Sequence, residues 1–159
     1  MRKFLILMPL LPLLLTACVD DSASYFADGK TGNHALTIHR AQKYFWSKES
    51  RIELIMLRLP DCQRRVELSE MPADEVEIEL LSGGDNVWTL RAGSEMWQVE
   101  TQSCTMYPDV KGDGGELLGV FRDDGGKLVY EAAVLEPAPE AKSAVEAAAT
   151  PAPEAAPAQ

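Results

Sequence analysis

Val87-Trp88-Thr89-Leu90-Arg91-Ala92-Gly93-Ser94-Glu95-Met96-Trp97-Gln98-Val99-Glu100-Thr101 is the stretch that decides the fold. Apolar residues alternate in its first half (Trp88, Leu90) and again in its second (Trp97, Val99), and Gly93-Ser94 between them has the chemistry of a two-residue hairpin loop. Folding the chain about that pair sets Leu90 opposite Trp97 and Trp88 opposite Val99 on one side, with Thr89 opposite Gln98 on the other. One face is apolar and the other polar, so this is a hairpin laid on a core with its outer face in water.

The pattern continues on both sides. Upstream, Val76, Ile78 and Leu80 alternate with Glu75, Glu77 and Glu79, followed by a Gly-Gly-Asp-Asn turn at 83–86. The three glutamates would repel one another unless bases such as Arg64, Arg65 or Arg91 lie across from them. Further upstream, 66–68 reads as a short strand between a polar link at 61–65 and the break at Pro72, and 52–59 as a β-rich strand ended by Pro60. The segment 34–51 holds a strand and then Lys43, Tyr44, Phe45 and Trp46; a hairpin turning at Lys48 and Glu49 would set Phe45 opposite Ile52 and Trp46 opposite Arg51, and a helix over 42–51 is the alternative. Downstream, 108–116 is a Gly and Asp loop, and a last hairpin joins 117–122 to 127–134. With Asp124 and Gly125 at its tip, Phe121 faces Leu128 and Gly119 faces Tyr130, whose ring can cover the glycine. Strands every 8 to 12 residues, with no helical period of comparable strength and no internal repeat, predict an all-β fold: a small antiparallel β-sandwich or barrel of about seven to nine strands.

Composition changes at both ends. Arg2 and Lys3 precede an apolar run over 4–15 and then small residues, the layout of a secretory signal. The run is shorter than the roughly 20 residues a bilayer span needs, and Pro9 and Pro12 interrupt it. Residues 19–33, rich in Asp, Ser and Gly, read as a flexible tether. Beyond 135 the chain becomes Ala, Pro and Glu, with Pro137, Pro139, Pro151, Pro153 and Pro157, which predicts a disordered, locally polyproline-like tail over 136–159. The organisation expected is a signal at 1–17, an anchor and tether at 18–33, a compact β-rich domain at 34–135 and the tail.

The chain carries a formal charge of −10, and the two bases of the leader are among its 15 Lys and Arg. Such a balance disfavours nucleic acid and anionic lipid as electrostatic partners. Export leaves Cys62 and Cys104 in an oxidising compartment as a pair, since neither has a second cysteine or a histidine at ligand spacing; a structural disulfide follows.

Little in the sequence points to catalysis. The chain has no Gly-Xaa-Ser-Xaa-Gly elbow, phosphate-cradling glycine loop or HEXXH helix, so no catalytic residue is assigned and the expectation is a non-enzyme without a cofactor. His34 and His39, five apart on a strand, point to opposite faces and share no metal, with His39 capping a sheet edge. Asp109, Asp113 and Glu116 miss the spacing of a calcium loop. The binding candidate is 40–51, where Arg40, Lys43, Tyr44, Trp46 and Arg51 reverse the local charge among aromatics, the composition of an interface hot spot; core packing with snorkelling bases is the alternative.

Leu15-Thr16-Ala17-Cys18 resembles the lipobox of bacterial lipoprotein precursors. The resemblance implies a diacylglycerol thioether on Cys18, cleavage before it, and a lipid-held protein of the cell envelope; an ordinary secretory signal followed by a free thiol is the alternative. Several acyl chains, at about 0.8 kcal/mol per buried methylene, anchor stably. With Val19 rather than aspartate after the cysteine, the family's sorting rule implies an outer membrane location facing the periplasm. The layout is similar to that of small envelope lipoproteins with one domain behind a lipobox, which implies a non-catalytic protein-binding or assembly accessory whose partner is another envelope protein. Size, acidity, cysteine pair and β-rich reading are also similar to the membrane-bound lysozyme inhibitors, and the stretch from Ala92 to Trp97 resembles their glycine-turn-aromatic loop, which implies inhibition of a basic hydrolase.

Overall fold

A computed structural model of the chain describes residues 19–29, 32–44 and 46–134. The expected signal peptide, Cys18, Phe45 and the expected tail lie outside the described residues. The ten strands among the described residues are β1 Asp20–Phe26, β2 His34–Ala41, β3 Glu49–Arg58, β4 Cys62–Pro72, β5 Glu77–Gly84, β6 Val87–Ala92, β7 Glu95–Glu100, β8 Thr105–Pro108, β9 Glu116–Asp124 and β10 Lys127–Ala132. They form two antiparallel sheets, sheet A in the order β1-β2-β3-β4 and sheet B in the order β10-β9-β5-β6-β7-β8. The fold is all-β, as the alternation predicts, and of the sandwich and barrel forms expected it is the sandwich, with ten strands among the described residues rather than seven to nine.

The core is the set of residues on the facing sides of the two sheets. Leu36, Ile38, Ile52, Leu54 and Met56 of sheet A pack against Val76, Ile78, Leu80, Leu90, Val99, Phe121 and Leu128 of sheet B or its entry, with Trp88 and Trp97 completing it. Period-two burial along β3, with Ser50, Ile52, Leu54 and Met56 buried in turn, is what a strand with one face on a core requires.

Register follows the sequence where the turn is short. The β6–β7 hairpin turns on Gly93 with φ 57°, and Leu90 lies opposite Trp97, Trp88 opposite Val99 and Thr89 opposite Gln98, as the two-residue loop requires. Glu79 lies opposite Arg91, whose Nε donates to Glu79 Oε2.

Four expectations need correction. Residues 20–26 are not tether but strand β1, paired along its whole length with β2; its inward positions are Asp21, Ala23 and Tyr25, and only Ala23 is a buried apolar residue, so no hydrophobic alternation marks it. The link at 61–65 belongs to the eleven-residue strand β4, which has one bulge where the pairing passes from Ile52 with Ser69 to Glu53 with Glu67. The β2–β3 connection is a loop over 42–48 rather than a tight turn at Lys48 and Glu49; Arg40, not Phe45, lies opposite Ile52, and Ala41, not Trp46, lies opposite Arg51. The β9–β10 hairpin turns at Gly125-Gly126, both at positive φ (62° and 88°), so Phe121 faces Tyr130 and Gly119 faces Ala132. A slip of two residues keeps each side chain on its face, and the Tyr130 ring still covers Gly119 diagonally: a Cβ there would lie 2.6 Å from Tyr130 Cζ.

The sandwich is closed at both lateral edges. Cys62 at the start of β4 is bonded to Cys104 just before β8, with Cα atoms 5.2 Å apart, and Arg64 Nη1 donates to Cys104 O at 3.0 Å. On the opposite side the Leu128 amide of β10 donates to Asp21 Oδ2 of β1 at 2.7 Å, and the Tyr25 and Tyr130 rings lie 5.5 Å apart.

Candidate functional site

The site grows from the β2–β3 loop. Strand β2 stops at Ala41 because the next residue leaves the ladder for the chain start: the Gln42 amide donates to Val19 O at 2.8 Å, and the Val19 amide donates to Gln42 Oε1 at 3.3 Å. Gln42 Nε2 reaches across the loop to Ser47 O, the Ser47 amide donates to Tyr44 O at 2.9 Å, and the Glu49 amide donates to Ser47 Oγ at 3.2 Å. The Ala73 amide donates to Lys48 O at 2.9 Å, tying the loop to the segment after β4. The backbone is therefore braced at its base and across its span, which fixes the side chains it carries.

Those side chains are the aromatics and bases. Tyr44 and Trp46 stack with ring centroids 5.0 Å apart and planes within 6° of parallel, and both are exposed, Trp46 by 67%. Lys43 Nζ sits 5.4 Å from the Tyr44 ring centroid, within cation–π reach. Beside them is a depression of about 320 Å³ whose lining includes Lys43, Tyr44, Glu49, Arg51, Glu67 and Glu70. Arg51 is half exposed, and among the described residues its one ion pair is a loose contact with Glu53 at 3.9 Å. Such a pair in water contributes little, so the Arg51 guanidinium stays available to a ligand.

Four of the five sequence candidates, Lys43, Tyr44, Trp46 and Arg51, are thus brought together. Arg40 is not among them. It shares the inward parity of Leu36 and Ile38 on β2 and is 1% exposed, with all five of its N–H groups accepted. Nε donates to Asp21 Oδ1 at 2.9 Å, Nη2 to Asp21 Oδ2 at 2.7 Å and Gly126 O at 3.3 Å, and Nη1 to Asp123 Oδ1 at 2.5 Å and to Ala73 O. A charge buried in this way costs several kcal/mol unless it is fully paired, and here the pairing is complete. Burial pushes the Asp21 carboxyl up, but its bonds from Arg40 and the Leu128 amide outweigh this and hold it below its usual range; Arg40 holds the Asp123 carboxyl down as well. Arg40 is a clamp between the sheets and no part of the binding surface.

The histidines have separate structural roles. His39 bridges β1 and β3, with Nε2 2.9 Å from Asp20 Oδ1 and Nδ1 3.0 Å from Glu53 Oε2, so it stands in the middle of sheet A rather than capping an edge. His34 Nε2 lies 2.9 Å from Oγ1 of the buried Thr101, with its ring edge-on to Trp88 at 5.0 Å. Burial and the nearby Arg58 charge hold His34 below its ordinary pKa. Among the described residues no group of three or more His, Cys, Asp or Glu has the geometry to hold a metal ion.

Sequence reasoning missed Glu67 and Glu70. Arg51 lies opposite Glu70 across β3 and β4, but that pairing follows from the extent of β4, and the polar run 61–65 hid the strand. Comparison with family models, curated proteins and solved structures finds no match to this chain.

Proposed function

We propose that this chain is a non-catalytic, lipid-anchored protein of the cell envelope, held through Cys18 at the outer membrane facing the periplasm, that acts as a protein-binding or assembly accessory. The observation that carries the binding part is the depression beside the loop. It sets Lys43 and Arg51 against Glu49, Glu67 and Glu70, next to the exposed Tyr44 ring, on a sandwich closed at both edges. Charges of both signs beside an aromatic wall on a rigid scaffold are what a partner segment needs for a defined register, because wrong partners meet like charge. The net charge of −10 turns nucleic acid away, while the local mixture accepts a polypeptide.

The anchor part rests on the Leu15 to Cys18 resemblance and on the start of β1 at Asp20, two residues past the cysteine. The test is capture. Mature protein is used to retain its partner from detergent-solubilised envelope extract, beside an Arg51→Glu, Glu70→Lys exchange variant that melts normally. Selective retention by the native protein and loss in the variant is the expected result. Equal retention by both, or none by either, refutes the assignment of the depression as an interface.

A further inference from the structure

The loop that carries Tyr44 and Trp46 stands at the end of sheet A where the described chain begins. Asp20, the first residue of β1, lies opposite Ala41, the last of β2, and Val19 exchanges two hydrogen bonds with Gln42. The residue before Val19 is Cys18, and consecutive Cα atoms are about 3.8 Å apart. If Cys18 carries acyl chains, its thioether lies at the level of the glycerol backbone, and no slack remains to lift the loop away from the bilayer. Resting on the lipid-anchor reading above, we infer that Lys43, Tyr44, Trp46 and Lys48 form a phospholipid-contacting surface that seats the domain on the membrane in one orientation.

The chemistry of the loop fits that surface. Trp and Tyr combine an apolar body with a polar tip and settle at the headgroup level, where both ends are satisfied. Trp46 is the exposed tryptophan of the chain; Trp88 and Trp97 are 5% and 6% exposed and belong to the core. Lys43 and Lys48 flank the aromatic pair in sequence and are exposed, so their ammonium groups can reach lipid phosphates. Asp20, Glu49 and Asp74 stand at the same end, so three carboxylates outnumber the two lysines there and net charge does not draw the loop to an anionic surface. The aromatic rings therefore supply the seat, and the two lysines place it.

A patch of two aromatics is too small to hold a protein on a bilayer from solution, but the anchor turns the contact into an intramolecular event at high effective concentration. The braces through Gln42, Ser47 and Lys48 mean that little loop entropy is lost on contact. The depression with Arg51, Glu67 and Glu70 would then open beside the headgroup layer, which fits a partner that also stands at the membrane.

The experiment uses the mature chain from Cys18 to Gln159, in which Cys18 is the one cysteine outside the disulfide. Its thiol is coupled to a maleimide-bearing phosphatidylethanolamine in vesicles of phosphatidylethanolamine and phosphatidylglycerol, and the emission of Trp46 is taken as the difference from a coupled Trp46→Phe variant. The expected result is a blue shift of that emission and its loss in lipid brominated near the carboxyl end of the acyl chain, with less loss for bromine near the methyl end. Trp46 emission that stays unshifted and unquenched while the protein remains on the vesicles overturns the inference. So does emission that shifts only when solubilised envelope protein is added, which gives the loop to a protein partner. Because the anchor is supplied chemically, this result stands apart from whether cells acylate Cys18: absence of acylation removes the lipoprotein reading, and absence of quenching removes the seat.

Discussion

The guanidinium of Arg40 forks onto the carboxylate of Asp21, with Nε 2.9 Å from Oδ1 and Nη2 2.7 Å from Oδ2. This bidentate bond fastens the first strand to the second, and the remaining donors of Arg40 reach Asp123, Ala73 and Gly126, so one side chain ties sheet A to the β9–β10 turn of sheet B. The same bond holds the first described strand against the body of the sandwich.

Arg40→Met leaves the Asp21 and Asp123 carboxylates facing each other at the sheet junction without a cation. Breaking one side of a buried, hydrogen-bonded ion cluster should cost about 3 kcal/mol in denaturant unfolding. Arg40→Lys should recover only part of that loss, because one ammonium cannot reproduce the fork. A loss below about 1 kcal/mol for Arg40→Met would show that the cluster is dispensable.

Acid should weaken the fold in two steps. His34 is held below its ordinary 6.5, so the unfolded chain takes up its proton first, and stability present in full above pH 6.5 falls as the pH drops through the folded value. Asp21 and Asp123 are held below 3.8; their contribution is complete above that pH and is lost as acid protonates them in the fold. Melting temperature against pH should thus show a shallow decline below 6.5 that is absent in His34→Asn, and a steeper one below 3.8 that is absent in Arg40→Met. A profile identical in all three proteins contradicts the assignment.

The disulfide closes a loop with a sequence separation of 42. Chain entropy alone gives about 4 kcal/mol for a loop of that length, so the Cys62→Ser, Cys104→Ser pair should unfold at markedly lower denaturant, with an m-value that is higher because the unfolded chain is less compact without the cross-link. Midpoints that agree within error would mean that the two strand edges hold without the bond.

Gly119 makes room for its neighbours. An added Cβ would lie 2.4 Å from Glu131 O and 2.5 Å from Tyr130 Oη, and the first of these is backbone that cannot swing aside. Gly119→Ala should cost about 2 kcal/mol, in the range of overpacking, and Tyr130→Ala should not rescue it. Full rescue would place the clash on the ring alone.

These variants also show what could be read from the sequence and what could not. The β6–β7 register was legible because a two-residue turn leaves one pairing compatible with the alternation of Trp88, Leu90, Trp97 and Val99. Asp123-Asp124-Gly125-Gly126 offers two tips, 124–125 and 125–126, whose registers differ by two residues, and since such a slip preserves both faces, alternation cannot choose between them; a Gly at both central positions with positive φ decides it. Strand β1 was hidden because its inward set begins with Asp21, and a charge counts as core only once its partner is known. Arg40 was misplaced for the same reason: seen alone it joins the basic cluster, and only its parity with Leu36 and Ile38 on β2 turns it inward. For Tyr44 and Trp46, the surface was legible from composition, whereas their parallel stacking and their seat beside Val19 depend on the loop at 42–48.

Acylation of Cys18 tests the central claim most directly. Cells expressing the full chain are fed labelled palmitate, and the product is fractionated and its N-terminal peptide weighed. The account predicts label on a mature protein that begins at Cys18 and sediments with membranes, with both label and sedimentation lost in Cys18→Ala. A Cys18→Ala protein that still labels and sediments, or a native mature chain that starts elsewhere with a free Cys18 thiol, contradicts it.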